Sequence, residues 1–91
     1  MRVTVRLFAR LRDLVGAGEL VREVAEDATV QRVWDDLCAA YPAIAPYAAS
    51  MSCAVNAEYA RLTTTVADGD EIAFLPPVSG GGRLAELRTK N

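Results

Sequence analysis

The chain has 91 residues, 52% of them hydrophobic, and a formal net charge of −2 at pH 7. A chain of this size buries only about 60–65% of its unfolded surface, so we expect one small domain without an internal active-site cavity. No apolar run approaches the roughly 20 residues that a membrane span needs, and the alternating N-terminus is not typical of a signal peptide. These features predict a cytoplasmic protein that does not bind membranes.

The residue types present limit the chemistry that the chain can perform by itself. Histidine, the usual general base at neutral pH and the commonest metal ligand, is absent. The cysteines and carboxylates show no metal-ligand spacing. We therefore expect no metal site, no bound cofactor and no autonomous catalysis. We expect Cys38 and Cys53 to be buried small hydrophobes rather than a disulfide.

Charge is unevenly distributed along the chain. Residues 1–81 contain seven arginines and eleven acidic residues, a net charge of −4, whereas residues 82–91 carry a net charge of +2. The acidic body argues against nucleic acid as a partner, since nucleic-acid binding depends on basic surfaces. A basic pocket on another protein is the better match.

Alternation of polar and apolar residues over 2–8 predicts a half-buried first strand. Phe8 breaks this pattern, because it places a large aromatic side chain on the polar face. The following segments predict a short helix over 9–15 that ends at Gly16, and a second strand over 19–25.

The clearest predicted helix covers residues 30–40. Thr29 is a good N-cap, because its hydroxyl can accept a hydrogen bond from a free backbone N–H of the first turn. Pro42 prevents the helix from continuing. Apolar residues recur at spacings of three and four and form one stripe that is expected to face the core. The stripe consists of Val30, Val33, Trp34, Leu37 and Cys38.

The second half of the chain predicts three more strands. Residues 43–51 form a predicted loop or loose turn of helix, and the strands 52–56 and 58–62 flank a turn at Asn56-Ala57. Asp68-Gly69-Asp70 is a tight turn signal. The last strand, 71–75, follows it.

This order of elements, with one main helix covering one face of a mixed sheet, indicates the α+β fold class. It fits the β-grasp, or ubiquitin-like, architecture with five strands. In that architecture the first and last strands pair in parallel at the middle of the sheet.

The segment after the last strand is the most informative part of the sequence. It reads Pro76-Pro77-Val78-Ser79-Gly80-Gly81, and almost none of it can pack a core. Paired prolines end the strand and keep the base of the tail extended, and glycines let backbone pass where a Cβ would clash. The six residues reach roughly 20 Å when extended. The tail suits insertion into a partner's narrow pocket, although a glycine triplet alone also fits a flexible linker.

Three segments resemble the molybdopterin synthase small subunit, a ubiquitin-like sulfur carrier. They are residues 8–16, Ala54-Val55-Asn56 and residues 68–81, and the last of these follows the family's C-terminal signature almost residue for residue. The resemblance covers residues 1–81, which we predict to be the carrier domain. Residues 82–91 form an extension that we expect to be mobile or removed by processing.

The resemblance implies that the carboxylate of Gly81, preceded by Gly80, is adenylated by an ATP-using enzyme of the ubiquitin-activating type. The adenylate is then converted to a thiocarboxylate, whose sulfur passes to cyclic pyranopterin monophosphate in the large subunit. The chain is then a non-catalytic subunit. Here Gly81 is followed by ten further residues and has an amide instead of a carboxylate. A precursor that a protease cleaves after Gly81 is favoured, with a fusion to the large subunit and a permanent tail as alternatives.

We expect the large subunit and the activating enzyme to dock on an apolar patch on the sheet face opposite the helix. Phe8 and Leu75 form this patch if the first and last strands pair, and it would be open to solvent without a partner. The full set of predicted partner-binding residues is Phe8, Leu75, Pro76, Pro77, Val78, Tyr59 and Leu62.

Other functions also fit the sequence. A sulfur carrier for thiamin thiazole or another metabolite has the same fold. A ubiquitin-like modifier joined to protein lysines would suit the precursor-like tail. A plain interaction domain without carboxyl chemistry is the fourth reading, because fold alone does not determine function.

Overall fold

The computed structural model describes residues 1–77. They form a five-stranded mixed sheet with one long helix across one face, and the predicted β-grasp fold is confirmed. Within these residues no helix is long and apolar enough to cross a membrane. The elements are β1 (Arg2–Leu7), α1 (Ala9–Val15), β2 (Glu19–Glu23), α2 (Val30–Ala40), a 3₁₀ helix (Pro42–Tyr47), β3 (Ser52–Val55), β4 (Glu58–Ala60) and β5 (Glu71–Leu75).

The strands lie in the order β2-β1-β5-β3-β4. As predicted, β1 and β5 are parallel neighbours at the centre, with Thr4 opposite Glu71 and Leu7 opposite Phe74. The other three pairings are antiparallel. This register brings Phe8 and Leu75, each one residue further along, to the same end of the sheet.

The main core lies between the sheet and α2. The rings of Trp34 and Phe74 meet there with centroids 5.0 Å apart and planes tilted by 57°, a contact worth about 1 kcal/mol beyond burial. The boundaries predicted for α2 are confirmed, and the Arg32 N–H donates to Thr29 Oγ1 at 3.3 Å. The cysteines are free, with Cys53 buried and Cys38 half-buried.

The two predicted turns in the second half are also present. Asn56 and Ala57 have φ values of 52° and 71°, the left-handed pair that a two-residue hairpin turn requires. The Asn56 side chain fixes this turn, because its Oδ1 accepts from Glu71 N–H at 3.0 Å and its Nδ2 donates to Asp70 Oδ1 at 3.0 Å. Gly69, at φ 86°, makes the second turn.

Five segments differ from the sequence prediction. β2 ends at Glu23 instead of residue 25, and β3 ends at Val55 instead of residue 56. β1 ends at Leu7 because Phe8 is already the N-cap of α1. The region predicted as a loop contains the 3₁₀ helix. This helix begins at Pro42, and its fully buried residue Ile44 packs against the core. β4 is shorter than predicted and ends at Ala60.

Candidate functional site

A second, small apolar cluster lies on the sheet face opposite α2, which we call the outer face. Ala54, Ala73 and Leu75 are buried there, and the half-buried Phe8 packs against them. Phe8 and Leu75 therefore share this face as predicted. Leu75, however, is only 5% exposed, so the prediction that both side chains are open to solvent is wrong for Leu75. The accessible apolar surface at this point is the ring of Phe8.

Tyr59 belongs to the same surface, but Leu62 does not. Tyr59 pairs with Ala54 across β3 and β4 and is 60% exposed. Leu62 packs against the main core on the helix side, so the predicted extension of the patch to Leu62 is wrong. β4 ends at Ala60, so Leu62 lies in the turn that follows the strand. We call Phe8, Ala54, Tyr59, Ala73 and Leu75 the outer patch.

Arg6 borders the outer patch and is not among the site residues predicted from the sequence. Its guanidinium carbon lies 5.6 Å from the centroid of the Phe8 ring. The same group pairs with Glu71 at 3.2 Å and approaches Glu19 at 3.9 Å. The available signal was the period of two, which places Arg6 beside Phe8 on one face. Arg6 limits the movement of the ring from one side.

The backbone next to Phe8 is strained. Phe8 is extended, at φ −127° and ψ 154°, and Ala9 then takes φ 49° before α1 begins. A left-handed residue with a Cβ costs roughly 1–2 kcal/mol. The remainder of α1 holds this turn in place, since Leu11 is fully buried and Gly16 caps the helix at φ 87°. The strained turn directs the Phe8 ring back over the outer patch.

The chain leaves the sheet at the outer patch. β5 ends at Leu75, Pro76 is buried and Pro77 is exposed. The predicted site residues Val78, Gly80 and Gly81, and the predicted extension 82–91, lie outside the described residues.

Groups that could perform chemistry are few in the part of the chain that the structure describes. No three His, Cys, Asp or Glu side chains among residues 1–77 are grouped so as to hold a metal ion. Burial raises the pKa of the Cys53 thiol, which donates to the Ala60 carbonyl at 3.1 Å. Burial, and secondarily the Asp35 carboxylate, raises the pKa of Cys38. A higher pKa lowers the fraction of reactive thiolate.

Comparison with known proteins places this geometry in a family. The model of the ThiS family matches residues 5–81. The molybdopterin synthase sulfur carrier subunit of Arabidopsis thaliana is 33% identical over 81 residues, which span 89% of this chain and 84% of that protein.

Solved structures agree with this assignment. The crystal structure of SAMP1 from Haloferax volcanii has a TM-score of 0.79 and 34% identity, covering 89% of this chain and all of that one. A protein–protein complex of subunits 1 and 2 of molybdopterin-converting factor from Helicobacter pylori contains a chain with a TM-score of 0.63 and 26% identity, covering 89% of this chain and 100% of the matched one. On the extent of these matches, the chain belongs to the ThiS family.

Proposed function

We propose that this chain is the sulfur carrier subunit of a molybdopterin synthase. It is not a catalyst itself, and it carries sulfur as a thiocarboxylate on Gly81. The observation that carries this proposal is the position of the chain exit. The outer patch lies where β5 ends, and the sequence from Pro76 to Gly81 follows directly. Relatives that bear the name of this subunit support it.

The proposed chemistry needs a free carboxylate and an activating partner. A carboxylate is a poor electrophile, so it first attacks the α-phosphorus of ATP and releases pyrophosphate. A sulfur nucleophile then displaces AMP from the acyl carbon and leaves a thiocarboxylate. An enzyme of the ubiquitin-activating type supplies the ATP site, and the carrier binds no cofactor. The sulfur finally passes to cyclic pyranopterin monophosphate in the large subunit.

Processing is a necessary part of this function. With residues 82–91 attached, Gly81 has an amide and cannot be adenylated. We propose that a protease cleaves after Gly81 in the cytoplasm. The domain that remains, residues 1–81, includes every element that the structure describes.

The outer patch is the proposed docking surface for both partners. Phe8 and Tyr59 provide exposed aromatic area, which is the residue type that dominates binding at protein interfaces. From this anchor the six residues 76–81 reach about 20 Å into a partner's active site. The two-subunit complex from Helicobacter pylori supports an assembly of this kind.

Intact-mass spectrometry tests the proposal. The full chain and a chain that ends at Gly81 are each incubated with an activating enzyme, ATP and a sulfur donor. We expect only the chain ending at Gly81 to become heavier, by one oxygen-to-sulfur exchange. A Gly81 chain that never forms an adenylate or a thiocarboxylate, with enzyme shown to be active on its own carrier, would refute the function.

A second function is favoured by a separate observation. SAMP1 from Haloferax volcanii, the small archaeal modifier protein 1 of that organism, has the same fold at a TM-score of 0.79. A modifier would form covalent conjugates of high mass with other proteins in cells. Affinity purification under denaturing conditions distinguishes such conjugates from a carrier that is recovered only as a free chain.

A further inference from the structure

The carrier domain is rich in cations but contains no lysine. Residues 1–81 have seven arginines, and Lys90, the single lysine of the chain, comes after Gly81. The two residue types differ in reactivity. A lysine amine can lose its proton and attack an activated acyl group, whereas a guanidinium remains protonated and does not.

In the described residues, the basic side chain of every side-chain ion pair is an arginine. Three ion pairs at 3.0–3.3 Å connect these arginines to carboxylates on the sheet and on α2. The pairs are Arg2 with Glu23, Arg6 with Glu71 and Arg32 with Asp36. The domain therefore keeps its positive charges without exposing a side-chain amine.

The remaining amine, at the N-terminus, is held far from the tail. The Met1 ammonium donates to the Val24 carbonyl at 2.7 Å. Because β1 and β5 are parallel, Leu75 lies level with residue 8, about seven residues or ~23 Å along the sheet from Met1. The six residues 76–81 span at most about 20 Å. Even a tail that folded straight back along the sheet would not bring Gly81 to this amine.

The thiols are also protected. Cys53 is 5% exposed and its Sγ donates to the Ala60 carbonyl, and Cys38 is half-buried on α2. Burial raises the pKa of both groups. Thiolate, the form that attacks an acyl group, is thereby reduced.

We propose that residues 1–81 form a one-way acyl donor. The activated carboxyl of Gly81 does not pass to a side-chain amine of this domain, in the same copy or in another, so copies are not linked through side chains into chains of conjugates. This inference rests on the proposed carboxyl activation. In the transfer, the amine or sulfide of the acceptor forms a bond to the acyl carbon. The bond from the acyl carbon to AMP breaks, and AMP leaves with its electron pair. An amine acceptor releases its proton to water.

Cleavage after Gly81 has a second consequence under this proposal. It frees the carboxylate and in the same step removes Lys90, the only side-chain amine in the sequence. The form that can be activated is thus the form that has no side-chain amine to accept.

A chemically prepared thioester tests the proposal without an activating enzyme. The chain ending at Gly81 is prepared with a C-terminal thioester as wild type, Arg32→Lys, Arg61→Lys and Arg32→Gln. Both positions are exposed, and Arg32 lies on α2, away from the outer patch. Each protein is incubated with an aryl thiol at about pH 9, where a lysine amine of pKa about 10.4 is partly free. Excess thiol then removes thioester-linked products, and intact mass with peptide mapping identifies amide-linked dimers.

We expect peptide mapping to find dimers linked at the introduced lysine in both lysine variants, and no dimer linked at a side chain in the wild type or Arg32→Gln, because only the lysine variants have a side-chain amine. Products linked at Met1 are counted separately. Added glycinamide should consume all four thioesters equally, which shows that the acyl group is reactive. Dimers linked at a side chain of the wild type, formed at the lysine variants' rate, would overturn the proposal. So would lysine variants that form no dimer while glycinamide reacts. Failure of an activating enzyme to adenylate Gly81 would instead count against the proposed function alone.

Discussion

Replacing Phe8 with alanine tests whether the outer patch binds partners. Phe8 and Tyr59 are the accessible members of this patch, because Leu75, Ala54 and Ala73 are buried and Phe8 packs against them. The Phe8 ring has two tasks in our account. It covers the small cluster in the free chain, and it supplies the aromatic anchor when a partner docks.

The two tasks predict two separate magnitudes. Complete truncation of a fully buried phenylalanine costs about 3–5 kcal/mol, so the half-buried Phe8 should lower the free energy of unfolding by about 2 kcal/mol. Domains of this kind have roughly 5–15 kcal/mol of stability, and the variant should remain folded. Loss of an interface anchor costs about 2 kcal/mol or more, which raises the Kd for the large subunit roughly thirtyfold.

Urea unfolding and titration calorimetry with the large subunit measure the two effects. Val21→Ala is the control, because Val21 is an apolar side chain with 56% exposure, close to the 60% of Tyr59, on the outer face but at the far strand β2. We expect Val21→Ala to leave the Kd unchanged. Equal affinity of wild type, Phe8→Ala and Tyr59→Ala for the large subunit would refute the docking surface.

Three further predictions follow from the structure. Ala9→Gly should raise the free energy of unfolding by about 0.5–1 kcal/mol, since it relieves the left-handed strain at φ 49°. The control Ala39→Gly, on helix α2, should lower it. Both are measured by urea unfolding, and a lower free energy of unfolding for Ala9→Gly would show that Ala9 is not strained. Arg6→Gln should cost about 1 kcal/mol or less in unfolding free energy, because its pairs are partly exposed, and a double-mutant cycle with Phe8→Ala should show the coupling of the two side chains. Burial raises the pKa of Cys38 and Cys53 above 9.0 in the folded chain. The stability that this shift contributes is therefore fully present below about pH 9 and is lost as the pH rises through the folded-state pKa values. Replacing both cysteines with alanine should make the free energy of unfolding fall less steeply above about pH 9.

The elements that local chemistry specifies could be predicted from the sequence. α2 is bounded by a side-chain cap at Thr29 and a proline at position 42, and both act within one turn of the helix end. The hairpin turn at Asn56 could also be predicted, because it too is specified by residues next to each other in the chain. Parallel pairing of β1 and β5 followed from the order of elements, because a single crossing helix leaves few alternatives.

The features that tertiary packing decides could not be predicted in the same way. The left-handed φ of Ala9 could not be predicted, because alanine does not favour this conformation and adopts it only where the surrounding fold imposes it. The burial of Leu75 depends on how far the Phe8 ring folds back, which strand periodicity does not specify. The placement of Leu62 could not be predicted from strand periodicity, because β4 ends at Ala60 and Leu62 lies in the turn that follows.

The parallel pairing of β1 and β5 brings the proposed docking surface and the proposed reactive chain end together in so small a domain. Parallel strands end at the same edge of a sheet, so the residue that follows β1 and the residue that ends β5 become neighbours. Phe8 takes the first position and is held by Arg6 and by the turn at Ala9. The tail begins at the second position. A partner that binds the ring is therefore bound beside the point from which the tail extends, and the paired prolines limit the directions that the tail can take. An antiparallel pairing of the same two strands would have put the ring and the tail at opposite ends of the sheet, about five residues or ~17 Å apart.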